Sequence, residues 1–340
     1  MNKTLFAGVG VLATAATGVV AGVAVSGTKK LVKKLVDEAY VTPNPGVDGQ
    51  PFQNSRYYRE GDYSIHYRLD FAKTPQPIGK MFMIHGFACN TTFFDEMVEL
   101  YTGLGFTCLR VDAPNCGYST RETAAVKPID REDLFFHVMD VVDASGAVPA
   151  GKWLLVGHSM GGGISMNMAY DNPNKFNAVV LYAPMAAVNA PSFVKSLVTL
   201  EPMCNIVDKV FGTAACNDVI MKSVVMLMTV DVRYSALYDV KKFSDGLTVD
   251  KSGTGMCYMM ARARPTLHKN MSEVKLPIQL VWGKMDLFNT KGTIKKFEAA
   301  LTNPDVSRVQ LAGHCLVQNV AGEVVDGTVE FLRKNGIYSI

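Results

Sequence analysis

Gly157-His158-Ser159-Met160-Gly161 is the stretch whose residue types and spacing are best suited to chemistry. An apolar run at 153–156 precedes it and a small-residue helical pattern at 162–170 comes after it. G-x-S-x-G between a strand and a helix describes a nucleophile elbow, a turn so sharp that bulky residues two positions from the serine would clash. The turn lifts the Ser159 hydroxyl off the end of the strand. It also sets that hydroxyl at the positive end of the next helix, where developing negative charge is favoured.

A serine hydroxyl is a poor nucleophile until a base takes its proton. The six histidines are His66, His85, His137, His158, His268 and His314. His158 adjoins the serine on a tight turn, so its ring is expected to point elsewhere and pack. His66 lies in an early strand, His137 in a helical pattern, and His268 beside no motif. His85 ends a strand and suits a supporting role, hydrogen-bonded to the loop after that strand. His314 comes after a strand-like run at 308–311, in Leu311-Ala312-Gly313-His314, just before the last helical pattern. A loop past the final strand can lean over the elbow, so His314 is the expected base.

That imidazole needs a carboxylate to fix its tautomer and stabilise its charged form. Asp286 ends the run Ile278-Gln279-Leu280-Val281-Trp282-Gly283-Lys284-Met285-Asp286, again just past a strand. Asp305 is the alternative, but it sits in a turn before the last strand and so at the wrong sheet edge. The tetrahedral oxyanion needs two backbone N–H groups. Met160, directly after the nucleophile, is one candidate. Phe87, in His85-Gly86-Phe87-Ala88 after the strand at 80–84, is the other.

The elements that must carry these residues are short apolar runs at 64–69, 80–84, 106–111, 153–156, 178–182, 278–282 and 308–311. Helical patterns separate them at 93–104, 131–144, 162–170, 294–301 and 322–334. Alternation of this kind means βαβ units in an α/β fold, a mostly parallel central sheet with helices on both faces. The alternation breaks between about 185 and 262, a helix-like stretch that holds eight of the 18 methionines. An insertion there is a helical cap. Its flexible Met side chains suit a surface that adapts to apolar ligands, or fill the cap's own small core. The expected division is a core of 61–185 and 263–340, a cap of 186–262 and a Pro/Gly-rich linker over 35–60.

The motifs together resemble the α/β-hydrolase superfamily, and within it the monoacylglycerol lipase/lysophospholipase-like serine hydrolases. The matching pieces are His85-Gly86-Phe87, Asp112-Ala113-Pro114-Asn115-Cys116-Gly117-Tyr118-Ser119, 157–162, Trp282-Gly283-Lys284-Met285-Asp286 and Gly313-His314. The order Ser159…Asp286…His314 is that of α/β-hydrolases. The second piece departs from the family's Asp-x-Pro-Gly-His-Gly-x-Ser at Asn115-Cys116, which loosens the subfamily assignment. The resemblance implies an α/β-hydrolase fold and a serine carboxylester hydrolase. Such an enzyme works through an acyl-enzyme on acyl lipids such as monoglycerides or lysophospholipids, without metal or cofactor. An acyltransferase or C–C bond hydrolase on the same triad, or a non-catalytic ligand-binding relative, stays open.

Charge and the first residues bear on partners and place. The formal charge is +3, but Lys3, Lys29, Lys30, Lys33 and Lys34 all fall in the first 34 residues, leaving 29 basic against 31 acidic residues in the rest. A body of that sign has no electrostatic reason to bind nucleic acid. Residues 4–28 carry no charge and are long enough to cross a bilayer. The expectation for 1–34 is a signal anchor with a basic flank, giving a membrane-associated protein. A cleaved signal peptide with secretion, or a soluble cytoplasmic protein, are the alternatives. Seven cysteines with no C-x-x-C spacing do not suggest a disulfide scaffold or zinc site. Seven free thiols in a reducing compartment are the expected state, and Cys204 and Cys216 could pair if the compartment is oxidising.

Overall fold

The computed structural model describes residues 50–187, 191–266 and 268–338. The expectations for residues 1–34 and for most of the linker lie outside them. Among the described residues the strands are β1 (Ser55–Glu60), β2 (Tyr63–Asp70), β3 (Gly79–Ile84), β4 (Phe106–Val111), β5 (Trp153–His158), β6 (Phe176–Tyr182), β7 (Ile278–Gly283) and β8 (Asp305–Val309). They form one sheet in the order β1-β2-β4-β3-β5-β6-β7-β8. β1 and β2 run antiparallel to their neighbours, and every pairing from β4 to β8 is parallel.

The sequence explains this layering. β3, β4, β5 and β7 are buried at every position, as strands covered on both faces must be. The covering helices of the first half are α1 (Asp95–Gly103), α2 (Arg131–Ala144) and α3 (Met160–Asp171). Phe82 on β3 meets Phe135 on α2 edge-on at 5.8 Å. On the other face Tyr101 of α1, Tyr182 of β6 and Thr328 form a buried hydroxyl chain with steps of 2.9 Å. Burying each such aromatic or aliphatic side chain stabilises the sheet by about 1.5–3 kcal/mol.

Two strands differ from expectation. Residues 55–60, read as the end of the linker, form β1 and pair with β2 from Ser55↔Arg68 to Glu60↔Tyr63. The Pro/Gly cluster ends at Pro51. Beyond it, Arg56-Tyr57-Tyr58-Arg59 belongs to an edge strand without the apolar alternation that marks an inner one. At the other edge β8 covers Asp305–Val309 rather than 308–311, and Leu311 lies 77% exposed beyond it. Asp305 opens this strand, where its carboxylate accepts Lys334 Nζ at 2.8 Å.

Between β6 and β7 the chain leaves the sheet through α4 (Ser192–Val198), α5 (Glu201–Ala215), α6 (Asp218–Thr229), α7 (Val232–Leu237), α8 (Lys241–Thr248), α9 (Ser252–Arg262) and α10 (His268–Glu273). α5 packs on α9 through Cys204, Cys257 and Tyr258, so Cys204 meets Cys257 rather than Cys216. The α8–α9 region of this insertion is stitched to the core by Arg121. Its guanidinium donates to the carbonyls of Cys116 (2.9 Å), Gly117 (2.7 Å), Ser119 (2.7 Å) and Gly246 (2.8 Å) and to Ser252 Oγ (3.1 Å). Burial pulls its pKa down to about 10, so it stays charged at neutral pH. The chain closes with α11 (Lys291–Ala299), β8, α12 (Leu316–Asn319) and α13 (Ala321–Lys334).

Candidate active site

Ser159 joins β5 to α3 with φ +51° and ψ −116°. A non-glycine residue there stores on the order of 1–3 kcal/mol of backbone strain and persists only where its surroundings impose it. They do: its N–H donates to Tyr182 O at 3.0 Å, and its carbonyl accepts from Gly162 at 2.9 Å and Met185 at 2.9 Å. Gly161 is required by close approach, because a Cβ there would run into the Ile84 and His85 carbonyl oxygens. Gly161→Ala is accordingly expected to cost at least about 3 kcal/mol. In a chain of this length that corresponds to a Tm lower by roughly 4–5 °C in a thermal melt. An unchanged Tm would show that the elbow is not built on this contact.

The structure brings three of the expected residues together from distant parts of the chain. Ser159 O–H donates to His314 Nε2 at 2.9 Å, and His314 Nδ1–H donates to Asp286 Oδ2 at 2.9 Å. Ser159 and His314 are only 5% and 3% exposed. Burial pushes the Asp286 carboxyl upward, but the hydrogen bond and charge of His314, together with donors from Asn289, outweigh it and hold the pKa at about 2. An ionised Asp286 can only accept, so Nδ1 carries the imidazole proton and Nε2 is left facing the serine.

Asn289 was not foreseen from the sequence. Its backbone N–H donates to Asp286 Oδ1 at 2.9 Å and its side chain to Oδ2 at 3.0 Å, while Phe288 N–H reaches Oδ1 at 2.7 Å. The same amide donates to Ala183 O at 3.1 Å, tying the carboxylate loop to the end of β6. The turn that wraps its own carboxylate is an Asx motif, and Asp286 followed three positions later by Asn289 was its one signal in the sequence.

The loop after β3 lies against the elbow: a Cβ on Gly86 would stand 3.2 Å from Ser159 Cβ and 2.7 Å from His158 Nδ1. Phe87 and Ala88 come directly after it, Ala88 with φ +60°. Met160 opens α3, where the first N–H groups of a helix have no intrahelical acceptor. His85 supports this loop as expected. It accepts Ala113 N–H on Nε2 at 3.1 Å and donates Nδ1–H to Gly86 O at 2.7 Å, and burial lowers its pKa. His158 turns away from the serine and donates Nε2–H to the His314 carbonyl at 3.0 Å. Burial and then the neighbouring His314 hold it well below the usual histidine range, so it is neutral. His137 is half-exposed and pairs with Glu60 at 2.7 Å.

A second hydrogen-bonded Ser-His-Asp chain exists that sequence reading did not detect. Ser55 Oγ lies 2.8 Å from His66 Nε2, and His66 Nδ1 lies 2.8 Å from Asp112 Oδ2. Distances alone do not separate it from the first. Backbone context does: Ser55 begins an edge strand with no helix N-terminus behind it, and its hydroxyl oxygen already accepts Phe52 N–H at 3.1 Å. Asp112 is spent on structure, accepting Thr91 N–H at 2.6 Å and Tyr118 N–H at 2.8 Å. This chain clips β1 onto the sheet.

Residues 75–315 match the family described as serine aminopeptidase, S33. The monoglyceride lipase of Mus musculus is 22% identical over 293 residues, covering 85% of this chain and 92% of that one. Monoacylglycerol lipase ABHD6 of Bos taurus is 25% identical over 292 residues, covering 82% and 81%. Among solved structures, the enol-lactonase from Burkholderia xenovorans LB400 superposes with a TM-score of 0.60 at 16% identity, covering 82% of this chain and all of that one.

Proposed function

The chain belongs to the serine aminopeptidase, S33 family and is a lipase-like serine hydrolase of the α/β-hydrolase fold, and on that premise we propose that it cleaves the carboxylic ester of an acylglycerol through an acyl-enzyme on Ser159. The observation that carries this reading is the pair of 2.9 Å hydrogen bonds linking Ser159, His314 and Asp286. Ser159 Oγ attacks the ester carbonyl carbon as its proton passes to His314 Nε2. The carbonyl oxygen becomes an oxyanion held by the Phe87 and Met160 N–H groups. His314 gives its proton to the alkoxy oxygen, which leaves as the alcohol. Water then repeats the sequence on the acyl-enzyme, with His314 again taking the proton, and frees the fatty acid.

Support for a lipid rather than a small ester comes from the relatives. The murine and bovine relatives are named for monoglyceride and monoacylglycerol hydrolysis. A panel of monoacylglycerols, lysophospholipids and short p-nitrophenyl esters, offered to the full-length protein, tests the assignment. Long-chain monoacylglycerols are expected to give the highest kcat/KM. Efficient cleavage of short esters with no lipid turned over would remove the lipid assignment and leave an esterase.

A further inference from the structure

The loop that carries His314 is held from outside the sheet. Gly313 N–H donates to Thr229 O at 3.1 Å and Cys315 N–H donates to Met228 O at 2.9 Å. These two donors flank the imidazole-bearing residue, and both acceptors belong to the last turn of α6, in the insertion. A helix ends with four carbonyls that have no intrahelical partner; here two of them are taken by the His314 loop. The approach is as close as backbones allow, since a Cβ on Gly313 would lie 2.5 Å from Met228 O and 2.8 Å from Thr229 C.

The helix stops at that point by an unusual device. Val230 takes the left-handed conformation, φ +55° and ψ +34°, and donates its N–H to Met226 O at 2.7 Å. A β-branched residue is strained there by about 1–2 kcal/mol, so the conformation is imposed by what surrounds it. Thr229 is fully buried and braces the same turn, its hydroxyl donating to Val225 O at 2.8 Å and accepting Asp231 N–H at 3.3 Å. From the opposite side His158 donates to the His314 carbonyl at 3.0 Å. The backbone on either side of the imidazole is thus fixed by α6, and its own carbonyl by the residue before the nucleophile.

We propose that the C-terminal turn of α6 is the positioning element of the His314 base, so that this helix of the insertion belongs to the catalytic scaffold rather than to a substrate-binding lid. The proposal rests on the assignment of His314 as the base. Val230, Thr229 and Met228 touch no reacting atom; they act through the imidazole they hold in place. Because every ester needs that imidazole, damage to the turn slows small and large substrates alike, whereas damage to a lid raises KM for lipids only.

Val230→Pro tests this. Proline cannot adopt a positive φ, removes the N–H given to Met226, and disfavours the helical conformation of Thr229 before it. In protein that still unfolds cooperatively, kcat should fall about 10–100-fold for both p-nitrophenyl acetate and a long-chain monoacylglycerol, since a displacement near 1 Å costs that much. KM should change little. Val230→Gly keeps the left-handed turn without strain and should recover most of the lost kcat. Gly313→Ala, which presses on the same carbonyls from the other side, should reproduce the kcat loss and serves if the proline variant does not fold. Val219→Ala, at the exposed start of the same helix, should change neither substrate. Folded Val230→Pro and Gly313→Ala proteins that keep full kcat on the small ester overturn the proposal. His314→Ala distinguishes the two levels: if it retains both activities, the base itself is misassigned.

Discussion

Replacing Ser159 with alanine is expected to lower turnover by about 10⁴–10⁶-fold on every ester the protein cleaves, with folding intact. The side chain is small, and its hydroxyl gives its hydrogen bond to His314 Nε2. Alanine therefore removes the attacking oxygen while leaving the strained turn, whose backbone bonds to Tyr182, Gly162 and Met185 do not involve the side chain. A fluorophosphonate probe reads the same event without a substrate: the natural protein should label and the alanine variant should not. The second Ser-His-Asp chain makes the control informative. Ser55→Ala should label like the natural protein, because Ser55 Oγ accepts a backbone N–H and Ser55 opens a strand rather than a helix. Loss of labelling in Ser55→Ala with retention in Ser159→Ala would reverse the assignment.

Asp286→Asn should lower kcat by about 10³–10⁴-fold, although it changes one atom. The carboxylate accepts His314 Nδ1–H, leaving Nε2 bare for the serine proton. An asparagine amide in the same place can turn its NH2 toward the ring and bond to the other tautomer, with the proton on Nε2. That imidazole cannot accept from Ser159. Its charged form also loses the ionised partner whose pKa lies at about 2. Asn289 cannot substitute, because its amide is a donor that already serves Asp286 and Ala183. KM should move far less than kcat, and the melt should remain cooperative. A kcat within tenfold of the natural enzyme would mean that Asp286 does not hold the tautomer.

The linkage of Asp286 to stability has a definite sign. Its folded pKa lies below the ordinary carboxylate value, so its contribution is complete above about pH 4 and fades as pH falls toward 2. The gap in denaturant midpoint between Asp286→Asn and the natural protein, measured at successive pH values, should therefore narrow in that window.

The sequence was legible wherever local chemistry punctuates it. Ser159 announces itself because a strand, a turn and a helix must meet there, and the backbone of β3 leaves room only for Gly161. His314 and Asp286 each come shortly after an apolar run and a glycine. Where an element lacks such a signature, reading failed for physical reasons. β1 is an edge strand whose partner is supplied by β2, so its alternation is incomplete. The bond between His66 and Asp112 spans 46 residues and depends on sheet register, which no short stretch encodes. The grip of Met228 and Thr229 on the His314 loop is made by carbonyls, which every residue possesses.

Ser159 and His314 sit almost wholly beneath the surface. Under the proposed chemistry the ester is not the only molecule that must enter: the acyl group on Ser159 waits there for its acceptor. Partition between water and a competing alcohol is then decided by which of them gains admission first, and only afterwards by the imidazole that activates either one. Whether such an enzyme degrades its lipids or rebuilds them becomes a property of traffic through the protein rather than of the bond-breaking groups themselves.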